Sequence, residues 1–250
     1  MRIEANNWRV IAGPCAAENP EQILETAKSI KKAGADVLRA GLWKPRTRAT
    51  AWQGAGKEGL AWMQEARKQT GIALTTEVKD MESPEAVLKA EFEIVWIGSR
   101  NGMSYPLLEE TGRQTAGMGT QVILKRTMAG DLDEWVGAAE YIAKHNPEVV
   151  LCERGIKGFP RDTRNVLDLQ IAKLAQITSG LPVIIDVSHA AGRRDLIMPM
   201  AMASKAAGFN GLMVEVHPNP VMAKSDAKQQ ISLTDFELLM GRLALIPNGL

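Results

Sequence analysis

Apolar residues along the chain gather into eight short runs: Trp8 to Gly13, Val37 to Leu42, Ala73 to Val78, Ile94 to Ser99, Gln121 to Arg126, Val149 to Arg154, Pro182 to Val187 and Gly211 to Val216. Most are unbroken stretches rich in β-branched side chains, the pattern of strands covered on both faces. Between them apolar positions recur at helical spacing. Pro20 to Ala33 is closed by Gly34, and Arg194 to Ala207 by Gly208. Pro84 to Ala90 is entered through Ser83 as N-cap with proline at the first helical position, and Asp131 to His145 reads as a further helix. Strict alternation of strand and helix predicts a parallel sheet, and eight repeats predict its closure into a single-domain α/β fold, the (β/α)8 or TIM barrel. The competing architecture is an open doubly wound sheet, against which stands the lack of a glycine fingerprint after the first strand. The barrel is expected over residues 1–243. Residues 244–250 read as an uncapped tail, an expected linker to a further regulatory domain.

A barrel of parallel strands brings all its carboxyl ends to one mouth, so residues far apart in sequence meet there. Here the runs end on chemistry: Gly13-Pro14-Cys15, Arg39, Glu77, Arg100, Lys125-Arg126, Glu153-Arg154, Asp186 to His189, and Glu215 to His217. Two long loops, Lys44 to Gly56 and Gly155 to Arg164, also lie on that side.

Length and charge add limits. The 250 residues suit one such barrel, and a formal charge of +1 implies no general attraction to nucleic acid or to a membrane surface. The polar start, Met1 to Asn7, lacks the apolar core of a signal peptide, and no apolar run reaches membrane-spanning length, so a cytoplasmic location is expected. Two cysteines, Cys15 and Cys152, make no disulfide framework and are read as reduced thiols.

Cys15, His189, Glu215 and Asp226 come from the first, seventh and eighth strand ends and the loop after the eighth, which are neighbours in a closed barrel. A thiolate, an imidazole and two carboxylates suit one divalent ion, and the mixed set fits Mn, Fe, Co or Zn without choosing among them. Each residue alone has a plainer explanation in packing; the shared address raises the group. Cys152 within a strand and His145 at a helix end are expected to bind no metal. The same mouth is expected to hold Arg39, Lys44, Arg46, Arg100, Lys125, Arg126, Arg154, Arg193 and Arg194. Converging cations repel one another unless anions join them, which points to phosphate- and carboxylate-bearing substrates.

These stretches together resemble a known family. Ile11-Ala12-Gly13-Pro14-Cys15, Leu38-Arg39, Lys44-Pro45-Arg46-Thr47, Ile97-Gly98-Ser99-Arg100-Asn101, Leu124-Lys125-Arg126, Cys152-Glu153-Arg154-Gly155, Asp186-Val187-Ser188-His189 and Val214-Glu215-Val216-His217-Pro218 are similar, in order, to 3-deoxy-D-arabino-heptulosonate 7-phosphate (DAHP) synthases. The similarity is to their compact subgroup, which also resembles 3-deoxy-octulosonate 8-phosphate synthase. The resemblance implies a barrel that condenses phosphoenolpyruvate with erythrose 4-phosphate and water at the head of aromatic amino-acid biosynthesis. It implies metal ligands at Cys15, His189, Glu215 and Asp226, and phosphoenolpyruvate contacts at Arg39, Lys44, Arg100, Lys125 and Arg154. Erythrose 4-phosphate is expected on Lys44, Pro45, Arg46 and Thr47; the octulosonate enzymes carry a Lys-Ala-Asn-Arg type sequence at that point. Glu77, or water on the metal, is expected to serve the proton transfers, with Lys44, Lys125 and His189 beside it in the catalytic set.

There are departures. Arg48-Ala49-Thr50-Ala51-Trp52-Gln53-Gly54 stands where the subgroup usually has Ser-Pro-Tyr-Ser-Phe-Gln-Gly, and Asp186-Val187-Ser188-His189-Ala190 where it has Asp-Pro-Ser-His-Ser. An octulosonate synthase using arabinose 5-phosphate, a Schiff-base aldolase working through Lys125, and a barrel that binds metabolites without catalysis remain as alternatives. A homo-oligomer is expected, with a fused or separate regulatory domain such as chorismate mutase. The isolated chain is accordingly expected to be active and insensitive to aromatic amino acids and prephenate. Titrating phenylalanine, tyrosine, tryptophan and prephenate against it checks this; strong inhibition acting away from the mouth overturns it.

Overall fold

In a computed structural model, which describes residues 1–44, 50–159 and 161–247, the eight apolar runs become eight parallel strands. In chain order the elements are β1 (Arg9–Gly13), α1 (Pro20–Lys32), β2 (Val37–Arg39), α2 (Lys57–Thr70), β3 (Ala73–Val78), α3 (Ser83–Lys89), β4 (Ile94–Ile97), α4 (Tyr105–Thr115) and β5 (Gln121–Lys125). They continue as α5 (Leu132–Ala143), β6 (Val149–Glu153), α6 (Leu169–Ser179), β7 (Val183–Asp186), α7 (Val187–Ala191), α8 (Ile197–Ala206), β8 (Gly211–Glu215) and α9 (Leu233–Ala244). Each strand pairs with the next, and β1 closes onto β8 with Arg9 opposite Gly211 and Gly13 opposite Glu215. The expected (β/α)8 barrel is the fold.

Two apolar layers result. Side chains alternate along each strand, so one set fills the barrel axis and the other meets the helices. Ile11, Val37, Ile94, Trp96, Ile123, Val150, Cys152, Ile184 and Met213 form the inner layer, with Ile3 closing its lower end. Gln121 fixes that plug, accepting from the Ile3 amide at 2.7 Å and donating to the Ile3 carbonyl at 3.0 Å. The outer set, including Leu38, Leu74, Val95, Leu124, Leu151, Ile185 and Val214, packs under the helices.

β1 and β3 end where their runs do, but the other six strands stop short of theirs: β2 ends at Arg39 rather than Leu42 and β7 at Asp186 rather than Val187. The trailing residues leave the ladder to build the mouth. Val187 opens a short helix, α7, whose N-cap Asp186 accepts from the His189 amide at 3.1 Å. Ser83 is the first residue of α3 instead of its cap; its hydroxyl turns back to accept from the amides of Lys79 and Asp80, at 2.8 and 3.2 Å. Asp131 does cap α5, in a capping box with Glu134. At the first strand's exit Gly13 adopts φ +145°, and a Cβ there would meet the Arg39 carbonyl oxygen at 2.1 Å. That close approach brings Cys15, just past β1, and Arg39, the last residue of β2, into one space.

Candidate active site at the barrel mouth

Strand parity decides which end residues enter the mouth. Arg39, Glu77, Trp96 and Lys125 occupy inward positions, and with Arg154, just past β6, they line a cleft of about 430 Å³. Trp96 is its floor. The Arg39 guanidinium lies 4.9 Å and the Lys125 ammonium 5.6 Å from the centre of a Trp96 ring. Lys44, Arg100, Arg164, His189 and Asp226 complete the charged wall. Arg100 is exposed at the rim, whereas Arg39 and Arg154 are buried. Gly98 leaves the room that Glu77 fills, since a Cβ there would lie 2.0 Å from Glu77 Oε1.

The four candidate ligands converge. Cys15, Glu215 and Asp226 bring one donor atom each to within 4.8 Å of one another. His189 Nε2 lies 3.5 Å from Glu215 Oε1 and 3.7 Å from Asp226 Oδ2. Burial, then the Glu215 carboxylate, push the Cys15 thiol up to about 12. A divalent ion bound there would supply the positive charge that reverses this and favours the thiolate. Burial also lowers His189 despite the opposing pull of Asp186, which favours the proton-free form that can ligate. Glu215 Oε1 is a buried acceptor without a hydrogen-bond partner, although Arg39 Nη2 stands 3.3 Å away. The donor set therefore fits one divalent cation.

Around these groups, opposite charges hold one another. Lys125 bonds to Asp186, whose same oxygen is 2.8 Å from His189 Nδ1. Burial works against the Asp186 charge, but His189 and Lys125 outweigh it and hold the carboxyl well below its ordinary value. Lys44 Nζ sits 3.0 Å from both Cys15 O and Cys15 Sγ. Arg164 Nη1 is 3.2 Å from Asp226 Oδ2, and the loop before Arg164 crosses to α7 through Arg164 N to Ala191 O and Asn165 N to Ala190 O, at 3.1 and 3.0 Å.

Three expected cations fall elsewhere. Arg126 follows the inward Lys125 and so points out of the barrel, where its Nη1 lies 3.1 Å from both Glu153 and Asp168. Arg193 is half-exposed and pairs with Asp195 at 2.7 Å. Arg194 grips backbone instead, donating to the Gln230 carbonyl at 2.7 Å and to Ala227 at 2.5 Å. Pro45, Arg46 and Thr47 lie outside the described residues. Cys152 is enclosed in the apolar barrel axis, and His145 lies just past α5 with Nε2 3.2 Å from Glu109. Sequence reasoning missed Arg164, Asp186 as a partner of Lys125 and His189, and Trp96. Only Asp186 carried a visible signal, its spacing of three residues from His189 across a helix start.

Comparison with known proteins follows the same outline. The family model described as the DAHP synthetase I family matches residues 3–243. A phospho-2-dehydro-3-deoxyheptonate aldolase of Thermotoga maritima is 40% identical over 95% of this chain and 68% of its own length. A crystal structure of a phospho-2-dehydro-3-deoxyheptonate aldolase (DAHP synthase) from the same organism superposes with a TM-score of 0.90 at 38% identity, covering 95% of this chain and 68% of that one. A 2-dehydro-3-deoxyphosphooctonate aldolase of Caulobacter vibrioides is 30% identical over 94% of this chain and 85% of its own length.

The outward position of Arg126 makes it a structural residue, compensating the fully buried Glu153. Arg126→Met is expected to lower the unfolding free energy by about 3–5 kcal/mol, because it strands a buried carboxylate. Substrate KM should stay within about twofold, since the side chain does not enter the cleft. Urea denaturation with steady-state kinetics checks both; a normal midpoint with a raised KM returns Arg126 to the mouth.

Proposed function

This chain belongs to the DAHP synthetase I family, and from that membership we propose how its mouth carries out the condensation of phosphoenolpyruvate with erythrose 4-phosphate. The activity is that of a DAHP synthase, the first step of the shikimate pathway, as in the relative 40% identical over 95% of the chain. The observation that carries the residue-level reading is the charge balance of the cleft. Among the described residues, Arg39, Lys44, Arg100, Lys125, Arg154 and Arg164 line it with Glu77 and Asp226, and the buried Glu215 and Asp186 pair with Arg39 and Lys125. Such an excess of cations suits two substrates that bring two phosphates and a carboxylate.

Arg39 offers Nε and Nη1, two buried donors with no partner among the described residues, and so suits a forked grip on phosphate or carboxylate. Lys125 stands beside it over Trp96, and the buried Arg154 guanidinium, lowered by its burial, lines the same cleft. Together with Lys44 and Arg100 these residues hold phosphoenolpyruvate and fix its enol carbon in line with the aldose aldehyde. Lys44 leads into the Lys-Pro-Arg-Thr segment, to which the erythrose 4-phosphate is assigned.

Cys15, His189, Glu215 and Asp226 would hold one divalent ion, which when bound supplies Lewis-acid polarisation of the aldehyde oxygen. The enol carbon attacks the aldehyde carbon; water adds at the neighbouring carbon, and cleavage of its bond to the phosphate oxygen releases inorganic phosphate. Arg39, Lys125 and Arg154 stabilise the negative charge carried through these steps. Glu77, on the cleft wall, is assigned the proton taken from the attacking water. A Schiff-base route is disfavoured because Lys125 is tied to Asp186 rather than free to attack a carbonyl.

One assay separates the readings. Phosphoenolpyruvate consumption is expected with erythrose 4-phosphate in preference to arabinose 5-phosphate, to vanish on chelation and to return with a divalent metal. Cys15→Ser, His189→Ala and Glu215→Ala should each lower kcat by more than about 100-fold, beyond what loss of an outer partner of a metal ligand removes. Cys152→Ser should leave kcat within about twofold. Arg46→Ala should raise the KM for erythrose 4-phosphate above all. Better turnover of arabinose 5-phosphate overturns the substrate assignment, and full activity after chelation overturns the metal.

A further inference from the structure

Between Asp226 and α9 the chain carries two adjacent glutamines, Gln229 and Gln230, that are 2% and 0% exposed. Burying two amides side chain by side chain is unfavourable unless their hydrogen bonds are made. Gln229 Nε2 donates to Glu215 Oε2 at 2.6 Å and to Asp226 Oδ2 at 3.3 Å, while its Oε1 accepts from Arg164 Nη1 at 2.8 Å. The amide is oriented by its surroundings, donors toward two carboxylates and acceptor toward a guanidinium. Gln230 turns the other way. Its Oε1 accepts from the Cys15 amide at 2.9 Å and its Nε2 donates to the Ser225 carbonyl at 2.8 Å. The pair thus touches Cys15, Glu215 and Asp226, which share no stretch of sequence.

The consequence is sharpest at Glu215. With Oε2 held by Gln229, the carboxylate cannot swing, and the unpartnered Oε1 faces His189 Nε2 at 3.5 Å. We propose that Gln229 is a positioning residue that fixes Glu215 and Asp226 for a divalent ion and sets the affinity of the site, with Gln230 holding Cys15 in register. This rests on the metal reading above. Gln229 is not among the residues that line the cleft; it acts by choosing which carboxylate oxygens point inward, as partners behind metal ligands do.

The test is direct Co²⁺ titration of chelator-stripped protein, followed by the thiolate-to-cobalt absorption band, beside thermal unfolding of the same metal-free samples. Gln229→Met keeps the volume and removes the donors; Gln229→Asn keeps the amide but withdraws it by one methylene. In each folded variant Co²⁺ is expected to bind about 10–100-fold more weakly than in the wild type. The thiolate band should persist at saturation, because Cys15 is held by Gln230. A purely structural role would lower the Tm of the metal-free variants and leave the Co²⁺ Kd within twofold of wild type, and that result in either folded variant overturns the proposal. Absence of any thiolate band in the wild type would instead overturn the metal site itself.

Discussion

Alternation of side chains along a strand is the constraint from which the active site follows. In a closed parallel barrel every second residue points at the axis, and at the carboxyl ends that axis opens into the mouth. Arg39, Glu77, Lys125, Asp186 and Glu215 all occupy inward positions on the last or near-last residues of their strands. The apolar inner layer stops at Trp96, so these charges stand on an aromatic floor, Arg39, Lys125, Asp186 and Glu215 among them buried. In so low a dielectric, unpaired charges are unfavourable, and pairing follows: Arg39 with Glu215, Lys125 with Asp186, Arg164 with Asp226.

Those pairings set the chemistry. Each one joins a cation that lines the cleft to a carboxylate at or beside the candidate metal ligands, so the two halves of the site share one electrostatic balance. A divalent ion among the carboxylates and substrate anions among the cations would each meet a complementary charge already aligned. His189 is held at the junction, with Asp186 on one ring nitrogen and Glu215 and Asp226 near the other.

Much of this was legible from residue order. Unbroken β-branched runs separated by helical periodicity located all eight strands, and the charged or ligand-type residue ending each run marked the mouth. Cys15, His189, Glu215 and Asp226 were identifiable as a group because a barrel makes strands one, seven and eight neighbours. Parity was the unused information: counting by two from Ile123 separates inward Lys125 from outward Arg126, and from Val150 it separates Arg154 from Glu153. Arg164, Gln229 and Gln230 are different. They reach the site through loops, whose path depends on tertiary contacts such as Arg194 on the carbonyls of Ala227 and Gln230. Two glutamines in a polar stretch look like solvent-facing loop until the fold buries them. The short helix at Val187 was hidden because its first residue continues an apolar run.

The central claim is that one mouth holds a divalent ion and phosphoenolpyruvate side by side on residues drawn from the barrel's strand ends and the loops that follow them. Anomalous diffraction at the manganese edge, from crystals grown with Mn²⁺ and phosphoenolpyruvate, tests it most directly. The account predicts a single strong peak bonded to Cys15, His189, Glu215 and Asp226, with the phosphate and carboxylate of phosphoenolpyruvate on Arg39, Lys125 and Arg154. A peak elsewhere, or phosphoenolpyruvate bound away from those cations, would contradict it.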